Sequence, residues 1–482
     1  MSTMRNWIIL GLMLCIWFSL TAKTTQISLR ITDLPSKEVF FVPTLNGQYF
    51  IGAGRSYALT EGQALTLQFE TERPGLCYLT FADWDWPGTG GALPVFVQPG
   101  NHIRLSFSGS DPVGSLRVAG SFSRENRYLA TTRRPEITFS YMKKYWLDES
   151  DAYVLGRQLE VSLKKEWVSL NTGALKNSPA LPWLEADLFW YYINIMQGLF
   201  VQHQRVHGSN LIDWEPIYIQ LLAQEPEQVY SRSSQWFPLA ALNYAQGYQR
   251  QWYQLAKAIP EDQPVSFLQI LESIPQTWWR EVALARHLQQ SYSEAPFPEI
   301  VQQYQYFRSR FGRSVCLPFL QQQIQPYISF QRTYDPSDST GLLLEMPKNW
   351  QSFVRRYTGK IVLIQLWATW CESCPEEFAQ DDALRQLQRK YPDDLSVVYV
   401  SMDAPEDRDR WHRDLHFYDL IYAQHLLPTG DLLTQIEDRM AERYAIPNNF
   451  ILDREGQLLT NDAPLLSEGT KLVRILEALI RS

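Results

Sequence analysis

The chain has few residues that could build a metal centre and few stretches that could cross a membrane. Its 482 residues include only five cysteines and seven histidines, and Cys371 and Cys374 form a Cys-x-x-Cys pair without a second such pair. A structural zinc site needs two further ligands at suitable spacing, so we predict no metal. Beyond the N-terminus no apolar run approaches the roughly 20 residues of a membrane span. The formal net charge of −8 argues against a nucleic-acid partner.

Cys371 and Cys374 lie where a predicted strand leads into a predicted helix. Residues 360–367 are apolar and β-branched, which is typical of a strand buried on both faces. Residues 376–390 carry apolar side chains at helical spacing. The N-terminus of a helix favours a thiolate over a thiol. We therefore predict a redox-active pair with Cys371 as the nucleophile; half of a zinc site and a purely structural disulfide are the alternatives.

Three separated motifs then resemble one known family. Residues 366–374 resemble the active-site signature of the thioredoxin superfamily, in its TlpA/ResA-like branch. Residues 397–403 resemble the next strand with its Ser-x-Asp end, and residues 445–456 resemble the segment with a cis-proline and an Asp-x-x-Gly turn. The resemblance covers roughly residues 340–482. It implies a thioredoxin-like domain that exchanges disulfides without a cofactor.

The resemblance also implies which residues meet a substrate and which partners are involved. Pro447, as the cis-proline, and Ile446 would lie against the partner chain near the cysteines, and Trp370 would contribute to the same binding surface. Members of this branch mostly act as reductases that a membrane electron carrier recharges, and cytochrome c maturation is one of their duties. Disulfide-containing proteins of the cell envelope are the implied substrates.

Two positions depart from the family pattern, and a third, Glu377, has two interpretations. Thioredoxin has a buried aspartate where this chain has Gln365, which cannot titrate. Glu377 lies one helical turn after Cys374 and matches a glutamate of the ResA-like branch, so it is the candidate proton acceptor. The alternative is an ordinary acid in the first turn of a helix, stabilised by the helix dipole. Asn448 stands where the family usually has threonine after the proline.

The N-terminus predicts export. Arg5 precedes an apolar segment, residues 7–18, and residues 20–22 offer a cleavage site. We predict a signal peptide over residues 1–22 and a periplasmic protein, with an uncleaved anchor as the alternative. The predicted function is reduction of envelope disulfides; an oxidase, an isomerase, or a binding scaffold with an inactive thioredoxin-like domain are the alternatives.

The rest of the chain predicts a multidomain protein. Period-two apolar runs separated by turn dipeptides predict an N-terminal antiparallel β-domain, sandwich-like, over residues 24–122. It is weakly similar to the β-domain that precedes the thioredoxin domain in large TlpA-like envelope proteins. Helical spacing predicts a central all-α region over residues 123–331. A linker over 332–340 and the C-terminal α/β thioredoxin-like domain over 341–482 follow.

Some histidines and cysteines have two interpretations each. Two histidine pairs have a four-residue spacing that could hold a metal on one helical face, but neither has an obvious third ligand: His203 with His207, and His412 with His416. Cys77, in a predicted strand, and Cys316, in a predicted helix, are expected to be single buried thiols. Their pairing with each other is the alternative.

Overall fold

A computed structural model of the chain describes most of the sequence, namely residues 22–34, 36–81, 86, 91–132, 134, 151–208, 215–260, 263–291, 297–343, 345–371, 373–440 and 445–481. The predicted signal peptide therefore lies outside the described residues, apart from Ala22. The chain divides into two compact units, residues 1–287 with 307–320 and residues 288–306 with 321–482. Among the described helices, none is both long and apolar enough to cross a membrane.

The described residues of the first unit begin with eight strands in two sheets. The strands are β1 (Lys23–Thr32), β2 (Glu38–Val42), β3 (Arg55–Ala58), β4 (Ala64–Thr71), β5 (Gly75–Phe81), β6 (Ala92–Val97), β7 (His102–Ser108) and β8 (Arg117–Gly120). One sheet has the order β4-β1-β7-β8 and the other β3-β2-β5-β6. Alternate residues of both sheets, such as Leu29 and Leu79, enter one shared buried cluster, which is how sandwiches bury a face of each sheet.

The prediction of a purely antiparallel β-domain is wrong for one strand pair. Strands β1 and β7 pair in parallel, with Ile27 opposite Ile103 and Leu29 opposite Leu105. The other strand pairs in the two sheets are antiparallel. Alternating apolar residues show that a segment is a strand, but they carry no information on the direction of its neighbour.

Helices follow the strands, in agreement with the helical periodicity of the sequence. They are α1 (Ser123–Thr131), α2 (Ala152–Thr172), α3 (Leu181–His207), α4 (Glu215–Leu222), α5 (Gln228–Ser231), α6 (Trp236–Asn243), α7 (Arg250–Lys257), α8 (Phe267–Ser273), α9 (Thr277–Ser291), α10 (Phe297–Arg310) and α11 (Leu317–Thr333). A π-helical turn, Tyr244–Gln249, joins α6 to α7. Helix α3 is buried along most of its length, so it forms the centre of the helical part.

A buried carboxylate connects strands and helices inside the first unit. Asp187 of α3 is 1% exposed and accepts hydrogen bonds from the Tyr78 hydroxyl on β5 at 2.8 Å and from the Ser234 hydroxyl at 2.7 Å. The guanidinium of Arg134 lies 2.9 Å from its second oxygen. Removing one partner of such a buried pair is costly because it leaves an uncompensated charge.

The edge strand β6 is covered by a side chain of α1. Asn126 accepts a hydrogen bond from the N–H of Phe96 at 2.7 Å and donates one to its carbonyl at 3.1 Å. The amide thus takes the place that a neighbouring strand would occupy at this residue.

The second unit contains a five-stranded sheet of order β11-β10-β9-β12-β13. Its strands are β9 (Ile361–Trp367), β10 (Leu395–Ser401), β11 (Gln424–Leu426), β12 (Asn448–Leu452) and β13 (Leu458–Thr460), and its later helices are α12 (Trp350–Arg355), α13 (Cys374–Phe378), α14 (Asp382–Lys390), α15 (Arg408–Phe417), α16 (Gly430–Met440) and α17 (Lys471–Arg481). Strands β9, β10 and β11 are parallel, whereas β12 and β13 are antiparallel to their neighbours.

Both faces of this sheet are covered. All seven residues of β9 are buried, with Leu363 and Trp367 in the cluster on one face and Ile364 and Leu366 in the cluster on the other. The sequence prediction of a strand buried on both faces is therefore correct. Cys371 and Cys374 belong to the same cluster as Trp367, so the first face of β9 is the one that bears the site.

The helix predicted over residues 376–390 is interrupted. Its first part, α13, ends at Phe378 and α14 begins at Asp382. Between them the N–H groups of Gln380 and Asp381 bond to carbonyls three residues earlier instead of four, a tight turn that ends the α-helical pattern.

Candidate functional site

Cys371 and Cys374 form a disulfide at the carboxyl end of β9, with their Cα atoms 5.5 Å apart. The N–H of Cys371 donates to the carbonyl of Ala368 at 3.1 Å, and Cys374 is the first residue of α13. Cys371 is 8% exposed and Cys374 only 1%, whereas the preceding Trp370 is 58% exposed. Of the two sulfur-bearing residues, Cys371 is thus the one that a partner molecule can reach.

A buried carboxylate fixes the loop before the disulfide. The N–H of Thr369 lies 3.1 and 3.0 Å from the two oxygens of Asp403, and its hydroxyl donates to one of them at 2.7 Å. Ser401, at the end of β10, donates its hydroxyl to the other oxygen at 2.6 Å. The Ser-x-Asp end of β10 therefore holds the residue two positions before Cys371.

The disulfide borders a cavity of about 330 Å³ in the second unit. The lining residues include both cysteines, aromatic side chains and two charged residues of α15: Trp367, Trp370, Cys371, Cys374, Phe378, Arg410, Asp414 and Tyr418. The guanidinium of Arg410 donates to the carbonyl of Thr369 at 2.8 Å. The cavity thus places a charged pair beside a disulfide in a largely aromatic wall.

Asp414 is an acid whose environment disfavours its charge. Asp414 is 6% exposed. Burial raises the pKa of its carboxyl group from 3.8 to about 6, although the guanidinium groups of Arg413 and Arg410 favour the charged form and lower this pKa. Arg413 lies 3.3 Å from the carboxylate and Arg410 3.9 Å. Sequence reasoning did not single out Asp414; its spacing of four residues from Arg410 was the available signal.

Glu377 is buried beside the disulfide and engaged with the backbone of a distant loop. It is 4% exposed, and its carboxylate accepts hydrogen bonds from the N–H of Leu466 at 2.6 Å and from that of Ser467 at 3.2 Å. These two residues begin a 3-10 turn. The proton-acceptor role of Glu377 stays a prediction, while the structure shows that its carboxylate anchors this turn.

The Ile446–Pro447 peptide bond is cis, in line with the family resemblance. Strand β12 pairs Asn448 with Leu366 of β9 in antiparallel register, so the two preceding residues reach the carboxyl end of β9. Ile446 packs against the cluster that contains both cysteines. The structure therefore brings Ile446 and Pro447 to the end of the sheet that carries the disulfide.

Gln365 is 5% exposed, and the described residues offer its Oε1 atom no hydrogen-bond partner. It lies on β9 opposite Tyr399 of β10, and side chains two residues apart on a strand share a face. Gln365 therefore projects toward the same side as Trp367. A buried amide here cannot exchange a proton with a thiol.

The other histidines and cysteines lie apart from this chemistry. Within the described ranges no group of three or more His, Cys, Asp or Glu side chains is placed to hold a metal ion. Both ring nitrogens of His412 are in hydrogen bonds, with the Tyr334 hydroxyl and the Asp338 carbonyl, each at 2.6 Å. Cys77 and Cys316 are free, buried thiols, and burial raises the pKa of each to about 12.

The expected position of Cys316 inside a helix is wrong by one residue. Helix α11 begins at Leu317, and the N–H of Cys316 donates to the hydroxyl of Ser314 at 3.2 Å. The N–H of Leu320 bonds to the carbonyl of Cys316, which is the arrangement of the residue that precedes a helix.

No protein-family profile matches the chain. The thioredoxin-like protein YneN of Bacillus subtilis is 38% identical over 104 residues, which are 20% of this chain and 53% of that protein. The chain thus spans about half the length of this curated relative.

Similar solved structures cover about a quarter of the chain. A Bacteroides vulgatus protein proposed to be a thiol-disulfide oxidoreductase is 26% identical, with 26% of this chain and 79% of that chain covered and a TM-score of 0.21. A thiol:disulfide interchange protein from Bacteroides sp. is 21% identical, with 26% and 77% covered and a TM-score of 0.22. The exposed lipoprotein thioredoxin of Streptococcus pneumoniae is 21% identical, with 26% and 90% covered and a TM-score of 0.21.

Three features of the second unit fit the thioredoxin-like resemblance of the sequence motifs. These are the strand order, the disulfide at the end of β9 and the cis-proline before β12. The C-terminal part of the chain contains a thioredoxin-superfamily domain.

Proposed function

We propose that the chain is an exported thiol-disulfide oxidoreductase that reduces disulfides of cell-envelope proteins. The observation that carries the proposal is the Cys371–Cys374 disulfide, which borders an open cavity next to the exposed Trp370. The residue that a partner can reach, Cys371, is the nucleophile.

The reaction is two thiol-disulfide exchanges. In the reduced protein the Cys371 thiolate attacks one sulfur of a partner disulfide, and the other partner sulfur leaves as a thiolate that takes up a proton. The Cys374 thiol then loses its proton and attacks the Cys371 sulfur. The second partner sulfur leaves, and the two electrons from the protein reside in the partner's two thiols while the Cys371–Cys374 bond forms.

Residues around Cys371 would hold the partner chain. Trp370 is exposed beside the cavity and offers an apolar surface, and the half-buried Ile446 and Pro447 lie at the same end of the sheet. A partner segment that contains a disulfide would pass between these groups. Such a surface recognises backbone and apolar side chains, so it suits a range of disulfide-bearing proteins.

The reducing direction and the location form part of the proposal. The predicted signal peptide and the TlpA/ResA-like motifs support a periplasmic reductase that a membrane electron carrier recharges, with cytochrome c maturation as one such duty. Oxidation or isomerisation of disulfides is the second candidate, because the same cysteine pair can run in either direction. A binding scaffold would leave the pair chemically unused.

The deciding experiment measures the reduction potential of the purified oxidised protein in glutathione buffers, together with its rate of insulin reduction. A reductase is expected near the roughly −270 mV of thioredoxin, whereas a strong oxidant lies near about −120 mV. A potential close to the latter value would support the oxidase. If the cysteine pair neither exchanges with glutathione nor reduces insulin, the binding-scaffold alternative is the one that remains.

A further inference from the structure

We propose that Asp414 accepts the proton of Cys374 in the step that resolves the mixed disulfide. The inference rests on the proposed function. It concerns the second exchange, in which a nearly inaccessible thiol must become the attacking thiolate. Cys374 is 1% exposed, so bulk solvent does not reach this thiol freely, and an acceptor inside the site is needed.

The cavity provides the route. Asp414 and Cys374 line the same cavity of about 330 Å³, and water in the liquid takes up about 30 Å³ per molecule. A cavity of this size therefore has room for water that carries a proton between the two groups. Asp414 reaches this cavity from α15.

The charges around Asp414 permit it to take up and release a proton. On its own helix Arg410 and Arg413 face the carboxylate, Asp403 acts from the loop after β10, and Tyr334 lies within electrostatic range from the segment after α11. Burial outweighs the two guanidinium groups and raises the pKa of Asp414 to about 6. The carboxylate is then mostly ionised at neutral pH, yet basic enough to hold a proton briefly.

The two other candidate groups are less suited to this step. Gln365 carries an amide that cannot titrate. Glu377 has its carboxylate bonded to the backbone N–H groups of Leu466 and Ser467, so protonation there would weaken the anchor of a turn. Asp414 is instead paired with the side chains of Arg410 and Arg413 and lines the cavity.

The proton balance is complete. Cys374 S–H gives its proton to Asp414 and the resulting thiolate attacks the Cys371 sulfur. The bond between that sulfur and the partner sulfur breaks, and the partner leaves as a thiolate. Asp414 then returns the proton to this leaving thiolate, so the carboxylate is regenerated within one turnover.

The test separates the two exchanges in time. The reduced protein is mixed with an equimolar amount of 5,5′-dithiobis(2-nitrobenzoate) in a stopped-flow instrument. The first release of coloured thiolate reports attack by Cys371, and the second reports attack by Cys374. In Asp414→Asn we expect the second phase at pH 7 to slow about tenfold or more and to lose its inflection near pH 6, while the first phase stays within about twofold of wild type.

Asp409→Asn is the matched control, because Asp409 is an exposed acid of the same helix and does not line the disulfide cavity; both phases should be unchanged. In Asp414→Ala, added acetate should restore part of the second phase. An Asp414→Asn variant that keeps the rate and pH profile of the second phase overturns the inference, as does equal slowing of both phases. A wild-type protein with no second phase defeats the proposed function instead.

Discussion

Thr369 is bound to the carboxylate of Asp403 through both its backbone N–H and its hydroxyl. One residue, Ala368, separates strand β9 from Thr369, and Cys371 follows two positions later, so this contact sets where the disulfide loop leaves the sheet. Asp403 is 2% exposed. Its loss would leave buried donors without acceptors.

We therefore expect Asp403→Ala to lower the free energy of unfolding by about 2–4 kcal/mol and to slow disulfide exchange by displacing Cys371. Denaturant unfolding of the oxidised protein and insulin reduction are the measurements. Asp407→Ala, at a partly exposed acid four residues later, is the comparison variant. Unchanged stability in Asp403→Ala would contradict the anchoring role.

The two cysteines should differ when each is removed. Cys371→Ala should abolish reduction of a protein disulfide, because the remaining Cys374 is 1% exposed. Cys374→Ala should retain the first attack and accumulate mixed disulfides, because no second thiol resolves them. Non-reducing gels of extracts from cells that express each variant give the answer. Recovery of trapped partners with Cys371→Ala instead would reverse the assignment of nucleophile and resolving thiol.

Glu377→Gln should lower stability as well as test the relay. One amide oxygen can still accept from Leu466, but the amide nitrogen would face the N–H of Ser467, so one hydrogen bond to a charged group is lost. The expected loss is about 1–3 kcal/mol of unfolding free energy. Glu376→Gln, at an exposed acid of the same helix, should have little effect.

The same Glu377→Gln protein distinguishes the two candidate proton acceptors in the stopped-flow experiment. If Asp414 serves Cys374, the second phase of the variant keeps its inflection near pH 6. Disappearance of that inflection would favour Glu377 as the acceptor.

His425 should make the second unit sensitive to acid. It is fully buried, burial lowers its pKa from 6.5 to about 4, and its Nε2 lies 2.8 Å from the carbonyl of Leu420. Unfolding lets the ring take up a proton below its ordinary pKa. The stability that the neutral ring contributes is thus fully present above pH 6.5 and is lost as the pH falls to about 4, by about 3 kcal/mol.

Hydrogen exchange of peptides from β10 and β11 measures this stability in the intact chain. The His425→Gln substitution should make this stability nearly independent of pH between 6.5 and 4. Substitution of His102, an exposed histidine of the first unit, by Gln should leave the pH dependence unchanged. An equal slope in wild type and His425→Gln would show that other groups dominate the acid response.

Asp414 should act on stability with the opposite sign. Its pKa is raised on folding from 3.8 to about 6, so the folded protein binds the proton more tightly than the unfolded chain. The cost of the buried charge is absent below pH 3.8 and complete above pH 6. The unfolding free energy of Asp414→Asn relative to wild type should therefore rise by about 3 kcal/mol between pH 4 and pH 7.5, as read by the same exchange measurement.

Local signals in the sequence located the disulfide and its supporting strand. An unbroken apolar run identified β9, and the spacing of Cys371 and Cys374 identified the disulfide-bonded pair, because both patterns depend on neighbours in the chain. The position of Pro447 followed from the family motif. The helical segments of the first unit were also visible as apolar residues at a period of 3.6.

Features that depend on distant contacts were not predictable in this way. The hydrogen bond from the N–H of Leu466 to Glu377 joins residues 89 positions apart. No sequence pattern near Glu377 predicts this bond. In the sequence, Asp414 is one of several polar residues on a short helix. Its position in the lining of the disulfide cavity is visible only in the folded structure. The parallel pairing of β1 with β7 likewise arises from the chain path between them, which alternation does not encode.

The bond between Asn126 and Phe96 bears on solubility. An unpaired strand edge can recruit a strand from another molecule, which is a common route to aggregation. Here an amide on α1 occupies both backbone groups of Phe96 on the edge strand, so an incoming strand meets no free donor or acceptor at that residue. A fragment that ends at residue 122 would carry the same sheet with this edge uncovered, and we expect it to self-associate more than the intact chain.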